Sequence, residues 1–433
     1  MRQHQLTNLI RTGHWYSLKC SWKSVRSPCS PDLNSAAPQL HPASNPETIP
    51  VPVSTVSVAL VFGVFSVVQQ LAIGARRGSI VPEIVSVDVP ELPGGPDQDQ
   101  ILCRTLQLGI CGTDREILHS AAPWVPSGES VLVLGHECLA RVEAVGSAVT
   151  DWQVGDLAVP AVRRSLPGER RRLDYLPLGR FTERGIFSEH GFSMPLWLDR
   201  SQHLYRVPAE LADIAVFTEP LAVAEKGINE ALHLQRARLG TDVWGTDPPQ
   251  VLVTGMGPIG FAAGLACVAR GWSVKMLGRD RDDTFRARLA QRFGIRYQQL
   301  ADDTFAVTDL ERDGVDLILE CTGSDELMVR STAVLRSCGV MVWLGSLRPP
   351  QPPTLDIAGM MLHGLLNNHL HIGCVNSAPR DFHDALKHLG QLKTTHAAEL
   401  QSLITAKVSL EDSLWHYQHR EPQGIKTIIE YPT

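Results

Sequence analysis

Residues 250–270 constrain the fold more than any other stretch. A short apolar run, Val251-Leu-Val-Thr254, leads into Gly255-Met-Gly-Pro-Ile-Gly260 and then into the apolar segment Ile259–Arg270. Strand, GxGxxG turn and helix in that order form the opening unit of a parallel, doubly wound sheet. Gly255 permits the sharp turn, Gly257 lets the backbone approach a pyrophosphate, and Gly260 lets helix and strand pack closely. Pro258 and Ile259 stand at the helix start, whose free N–H groups meet the phosphate charge. The string predicts a dinucleotide site at Gly255, Gly257, Pro258, Ile259 and Gly260.

The flanking pattern agrees. After about residue 220 the chain alternates: Ser273–Leu277 reads as strand, Thr284–Phe293 as helix, and Val315–Glu320 and Val340–Leu344 as two more apolar strands with a helical stretch between them. That alternation implies a parallel sheet with helices on both faces. Before residue 220 the pattern is different. Ile80–Val89, Gln100–Leu108, Val131–Leu134 and Ala140–Val145 read as short strands separated by glycine turns, the signature of an irregular β-barrel-like domain. An amphipathic helix is expected near Asp381–Leu392, and Lys426–Glu430 is expected to rejoin the first domain. The fold class is α/β, with an extension over 1–70, a catalytic domain over 71–220 rejoined by 377–433, and a dinucleotide domain over 221–376.

The end of the second nucleotide-domain strand bears on cofactor choice. An acidic side chain there accepts from the ribose hydroxyl of NAD. This chain reads Met276-Leu-Gly278-Arg279-Asp280-Arg281, with Arg279 nineteen residues past Gly260. Gly278, Arg279 and Arg281 suit a 2′-phosphate, so NADP, or use of both dinucleotides, is expected over strict NAD. Asp280 keeps NAD open, because a small shift would bring it to the ribose.

Residues 1–31 hold five basic side chains and no acid before Asp32, residues 28–52 are rich in Pro, Ser and Asn, and Val56–Val68 is a mostly apolar run. The run is shorter than the roughly 20 residues a membrane helix needs. It lies too far from Met1 for a signal peptide. The favoured reading is a disordered extension without catalytic importance, with a targeting segment or an early translation start as alternatives; membrane attachment is disfavoured. A formal charge of −6 without a basic stripe argues against nucleic acid as a partner. Nine cysteines without a CxxC suit a reducing compartment, and the cytoplasm is expected.

Three further motifs precede the nucleotide fold: Gly109-Ile-Cys-Gly-Thr-Asp114, Leu134-Gly-His-Glu137 and Glu219-Pro-Leu221. Thiolate, imidazole and carboxylate are zinc ligands, and a catalytic zinc keeps one open position. Taken singly, Cys111 is a core thiol, His136 a satisfied ring and Glu219 a helix-start carboxylate. Taken together, in turns marked by glycine or proline, they point to one metal site.

With Val154-Gly-Asp156 added, these motifs resemble the zinc-dependent medium-chain dehydrogenases over roughly residues 71–433. Within that family the finer likeness is to the glucose 1-dehydrogenases, carried by Cys111–Glu116, Pro160–Arg164, Thr182–Ile186, Glu219–Lys226 and Gly373–Asn376. The resemblance implies a GroES-like β-barrel domain joined to a Rossmann domain, with one catalytic zinc held by Cys111, His136, Glu137 and Glu219. It implies that Thr113 relays the substrate's proton, that Glu183, Glu219 and Asn376 bind the sugar, and that Glu225 stands near the metal. It implies hydride transfer from an aldose such as glucose to NAD(P), giving the lactone, in a homodimer or homotetramer. Two departures stand out. Relatives often carry four cysteines for a structural zinc where this chain has the cysteine-free lobe Arg164–Gly179, and Val162 replaces an amide that some relatives offer to the sugar. A polyol or amino-alcohol dehydrogenase, and a non-catalytic nucleotide-binding protein of the same fold, stay open as alternatives.

Overall fold

The structure is a computed structural model that describes residues 68–91, 98–300, 314–345 and 355–432. The expectations for the basic, proline-rich and apolar segments before residue 68 lie outside these residues.

Six parallel strands form the second sheet, in the spatial order 296–299, 273–278, 250–254, 315–320, 335–343 and 370–373. Numbered along the chain this is 3-2-1-4-5-6, the Rossmann order, which places a ligand crevice where the order reverses, between strands 250–254 and 315–320. Val251–Thr254 are buried, as a central strand covered on both faces requires. Helix Pro258–Ala269 follows, buried from Gly260 through Cys267. It packs on helices Thr218–Leu239 and Pro379–Gln401 as well as on the sheet. An apolar set including Phe261, Leu265, Phe382 and Leu389 fills this layer.

The first half is a barrel-like mixed sheet running through strands 204–207, 157–160, 137–145, 100–109, 426–430 and 404–408, with 196–200 also paired to 100–109. Strand Lys426–Glu430 therefore lies against Gln100–Gly109, although hundreds of residues separate them. Two smaller sheets flank it, 83–88/69–76/131–133 and 163–165/181–184/188–189.

Local readings differ from expectation in three places. The strand expected from Ile80 begins at Glu83, because Pro82 lacks the N–H a ladder needs. The turn expected at Cys111 is the start of helix Gly112–His119, with Cys111 as its cap. The helix expected near Asp381–Leu392 runs Pro379–Gln401, kinked at His396 and burying Leu400 beyond the kink.

The cysteine-free lobe is held by charge. Asp174, on the single turn Leu173–Tyr175, is buried and paired with Arg172 at 2.6 Å and Lys226 at 3.3 Å. Burial pushes its carboxyl up, but the two cations outweigh that and hold it below the usual range. Arg172 and Arg380 both reach Glu230, tying the lobe to the helix pair beneath.

A Cβ added at Gly260 would stand 2.1 Å from the carbonyl oxygen of Gly255. Gly260→Ala must push helix from strand, so a loss of about 1–3 kcal/mol is expected. Denaturant unfolding followed by circular dichroism reads it, with an unchanged midpoint as the contrary result.

Candidate active site

The site begins with a strand pair. Gly109 ends strand 100–109 and faces Glu137, the first residue of strand 137–145. A Cβ at Gly109 would meet Glu137 Oε2 at 2.2 Å, so only glycine leaves room for that carboxylate. Two residues on, Cys111 caps its helix in extended backbone, and Asp114 accepts its N–H at 2.9 Å. Gly135, at φ +91°, makes the tight turn that delivers His136 beside it.

One ligand atom each from Cys111, His136 and Glu137 lie within 4.8 Å of one another. It is the one such group among the described residues. His136 Nδ1 lies 3.5 Å from Asp114 Oδ1, and both groups are buried. Asp114 went unassigned in the sequence, although it stands in the same string as Cys111. A carboxylate behind a ligating imidazole fixes the ring's orientation and tautomer. Burial pulls the His136 pKa down, yet the neighbouring Cys111 and Asp114 overcome this and raise it well above its ordinary value. Glu137 Oε2 also accepts from Lys426 Nζ, and both are almost fully buried. Lys426 is a second residue that sequence reasoning passed over.

Glu219, second in helix 218–239 and 9% exposed, lies outside the close trio. Burial raises its carboxyl to about 7, with His136 pulling down and Glu137 pushing up. Thr113 Oγ1 is 3.7 Å from Cys111 Sγ. Glu183 and Asn376, far apart in sequence, touch: Asn376 Nδ2 donates to Glu183 Oε1 at 3.0 Å. Arg163 donates to the same oxygen at 3.0 and 2.9 Å. Val162 is buried. The Glu225 carboxylate is paired with Arg270 at 2.6 Å and His388 at 2.7 Å, so it links helix 218–239 to the end of helix 258–269 and to helix 379–401.

At the nucleotide crevice Gly255 adopts φ +104°. Gly257 caps helix 258–269 and Pro258 is its first residue, with Ile259 following. Gly278 packs so closely on Met256 that a Cβ would approach to 2.4 Å. Arg279 and Arg281 are exposed at the strand's end, and Arg281 pairs with Asp283 at 3.1 Å. Asp280 is held by both Arg286 Nε and Nη2 at 2.6 Å. A carboxylate engaged in that fork is a poor acceptor for a ribose hydroxyl. Glu320, fully buried at the end of its strand, gathers the N–H groups of Thr322 and Gly323 and so shapes the crevice wall.

Comparison with known proteins matches these features. Residues 97–192 fit the alcohol dehydrogenase GroES-like domain, and residues 212–431 the glucose dehydrogenase C-terminus. The glucose 1-dehydrogenase of Thermoproteus tenax is 37% identical over 76% of this chain and 91% of its own. Glucose 1-dehydrogenase 1 of Caldivirga maquilingensis is 35% identical over 81% and 96%. The chain belongs to the glucose dehydrogenase family of zinc-type medium-chain dehydrogenases. Among solved structures, the Haloferax mediterranei glucose dehydrogenase in complex with NADP, Zn and gluconolactone superposes with a TM-score of 0.73 at 26% identity, covering 84% of this chain and 99% of that one.

The donor set suits a metal of this glucose dehydrogenase family. Ligands about 2.0–2.3 Å from a tetrahedral zinc stand roughly 3.5 Å apart, so closing a group already within 4.8 Å asks for small side-chain adjustments. Ligation needs a deprotonated ring nitrogen, so a metal entering this group competes with protons at His136. Zinc uptake by the metal-free protein is therefore expected to release protons and to strengthen as pH rises. Calorimetry in buffers of different ionisation enthalpy measures this; uptake without proton release counts against ligation by His136.

Proposed function

We propose that this chain is a cytoplasmic, zinc-dependent aldose dehydrogenase that oxidises the C1 hydroxyl of a sugar such as glucose to the lactone, with NADP as the preferred acceptor. The observation that carries the reading is the convergence of Cys111, His136 and Glu137 in a chain whose second sheet has the Rossmann strand order. The glucose, zinc, NADP and gluconolactone named for its relatives support it. No helix among the described residues is long and apolar enough to cross a membrane.

Cys111, His136 and Glu137 would hold the zinc, with the Glu219 carboxylate as the fourth donor. When bound, the metal supplies Lewis-acid polarisation of a substrate oxygen, and NADP is the two-electron acceptor. The chain's own groups do the rest. Thr113 holds the substrate's hydroxyl proton and passes it outward. Glu183 keeps Oε1 for Arg163 and Asn376, which leaves Oε2 for a sugar hydroxyl. Asn376 offers its amide oxygen beside it. Gly255, Gly257, Pro258, Ile259 and Gly260 cradle the pyrophosphate, and Gly278, Arg279 and Arg281 receive the 2′-phosphate while Asp280 stays with Arg286.

Self-association is part of the reading. Helix Ile357–Asn367 exposes Met361, Leu362, Leu365 and Leu366, the last two at 76% and 70%, beside the edge strand Leu370–Gly373. Apolar side chains next to an open sheet edge favour pairing with a second copy, so a homodimer or homotetramer is proposed.

Two experiments test the function. Across aldoses and polyols at fixed NADP, lactone formation from an aldose is the expected product, and exclusive ketose formation from polyols would replace this reading with a polyol dehydrogenase. Cys111→Ala should lose stoichiometric zinc and about a thousandfold in turnover; undiminished turnover would reject a metal-centred reaction. For the cofactor, Arg279→Ala is expected to raise the KM for NADP by about tenfold or more while sparing NAD. Equal effects on both would remove Arg279 from the 2′-phosphate site.

A further inference from the structure

Lys226 closes the string Glu219-Pro-Leu-Ala-Val-Ala-Glu-Lys226, and neither the metal nor the dinucleotide gives it a task. It lies seven residues from Glu219 on helix 218–239, a spacing that keeps both on one face. It is 2% exposed. A buried ammonium has three donors to satisfy. Lys226 Nζ donates to the Val375 carbonyl at 2.7 Å and to the Asp174 carbonyl at 3.1 Å, and Asp174 Oδ2 lies 3.3 Å away. The Tyr175 ring covers it at 4.7 Å. All three donors are thus spoken for, by two segments that meet nowhere in sequence: the cysteine-free lobe and the turn after strand 370–373.

Both segments lead to the same carboxylate. Val375 immediately precedes Asn376, which sits at φ +63°, a left-handed conformation that a non-glycine residue adopts only when held. The Lys226–Val375 bond fixes the peptide at that point. Asn376 then donates to Glu183 Oε1 at 3.0 Å. From the other side, Asp174 offers its carbonyl to Arg163 Nη1 at 3.4 Å, and Arg163 donates to Glu183 Oε1.

We propose that Lys226 is a positioning residue for sugar binding: by joining Asp174 to Val375 it sets Arg163 and Asn376, and through them the Glu183 carboxylate that meets the substrate. This rests on the reading of Glu183 and Asn376 as sugar-binding residues. Lys226 touches no reacting atom, so its removal acts on substrate affinity and leaves the dinucleotide site alone.

The test uses the full-length, zinc-loaded enzyme. K226M is expected to raise the KM for glucose by about tenfold, the loss of a charge-assisted hydrogen bond, with kcat and the NADPH dissociation constant, read by fluorescence titration, within about twofold. K226R, which keeps the buried charge, should recover part of the loss. In a double-mutant cycle K226M should add little to N376A, because both act on one hydrogen-bonded unit. An unchanged glucose KM, or a K226M effect that adds in full to N376A, would overturn the proposal. Should K226M fail to fold, K226R decides: a severalfold rise in glucose KM with normal NADPH binding supports it, and wild-type kinetics refute it. N376A and E183Q separate the two layers. If neither moves the glucose KM, the sugar-binding reading fails; if both do and the Lys226 variants do not, only the role of Lys226 falls.

Discussion

The register between strands 100–109 and 137–145 is the constraint on which the site depends. Gly109 opposite Glu137 sets Cys111 and His136 side by side, because Cys111 comes two residues after its strand ends and His136 directly before its own strand begins. Side chains alternate faces along a strand, so a slip of one residue would send Glu137 to the opposite face. Strand 426–430 adds a third party to the same corner: Ile428 also pairs with Gly109, and Lys426 two residues earlier meets the Glu137 carboxylate. Three segments from distant parts of the chain are thereby registered against one glycine.

Charge balance then decides how those groups coexist. Asp114, Glu137 and Glu219 are buried within a small volume beside His136. Such a set is costly without cations. Lys426 answers Glu137, and the His136 ring answers Asp114. Glu219 has no dedicated cation of its own among these pairs, and its carboxyl is the one driven up to about 7. A divalent ion entering the group would relieve that imbalance, which is the electrostatic reason the donors fit a metal.

What the sequence revealed follows the range of each signal. The GxGxxG turn, the Rossmann alternation and the Cys111, His136 and Glu219 motifs were legible because glycine and proline mark backbone geometry locally. The contact between Glu183 and Asn376 entered through family resemblance, since nothing local joins residues 193 positions apart. Asp114 was within reach, three residues past a helix cap, but the helix itself was read as a turn. The roles of Lys426 and Arg163 were not legible, because each is defined by a carboxylate elsewhere in the fold. The pairing of Glu225 with Arg270 and His388 was not legible either, since both partners come from other parts of the chain.

The lobe over residues 164–179 carries a consequence for how the molecule meets its surroundings. Asp174, Arg172, Lys226 and Glu230 hold it together by ion pairing. No cysteine lies in that lobe, so a thiol oxidant has nothing there to attack. The exposed arm of Arg172 is open to screening by added electrolyte, whereas the sequestered Lys226–Asp174 contact is shielded from it. Rising ionic strength therefore loosens the outer pair of the lobe before the inner one.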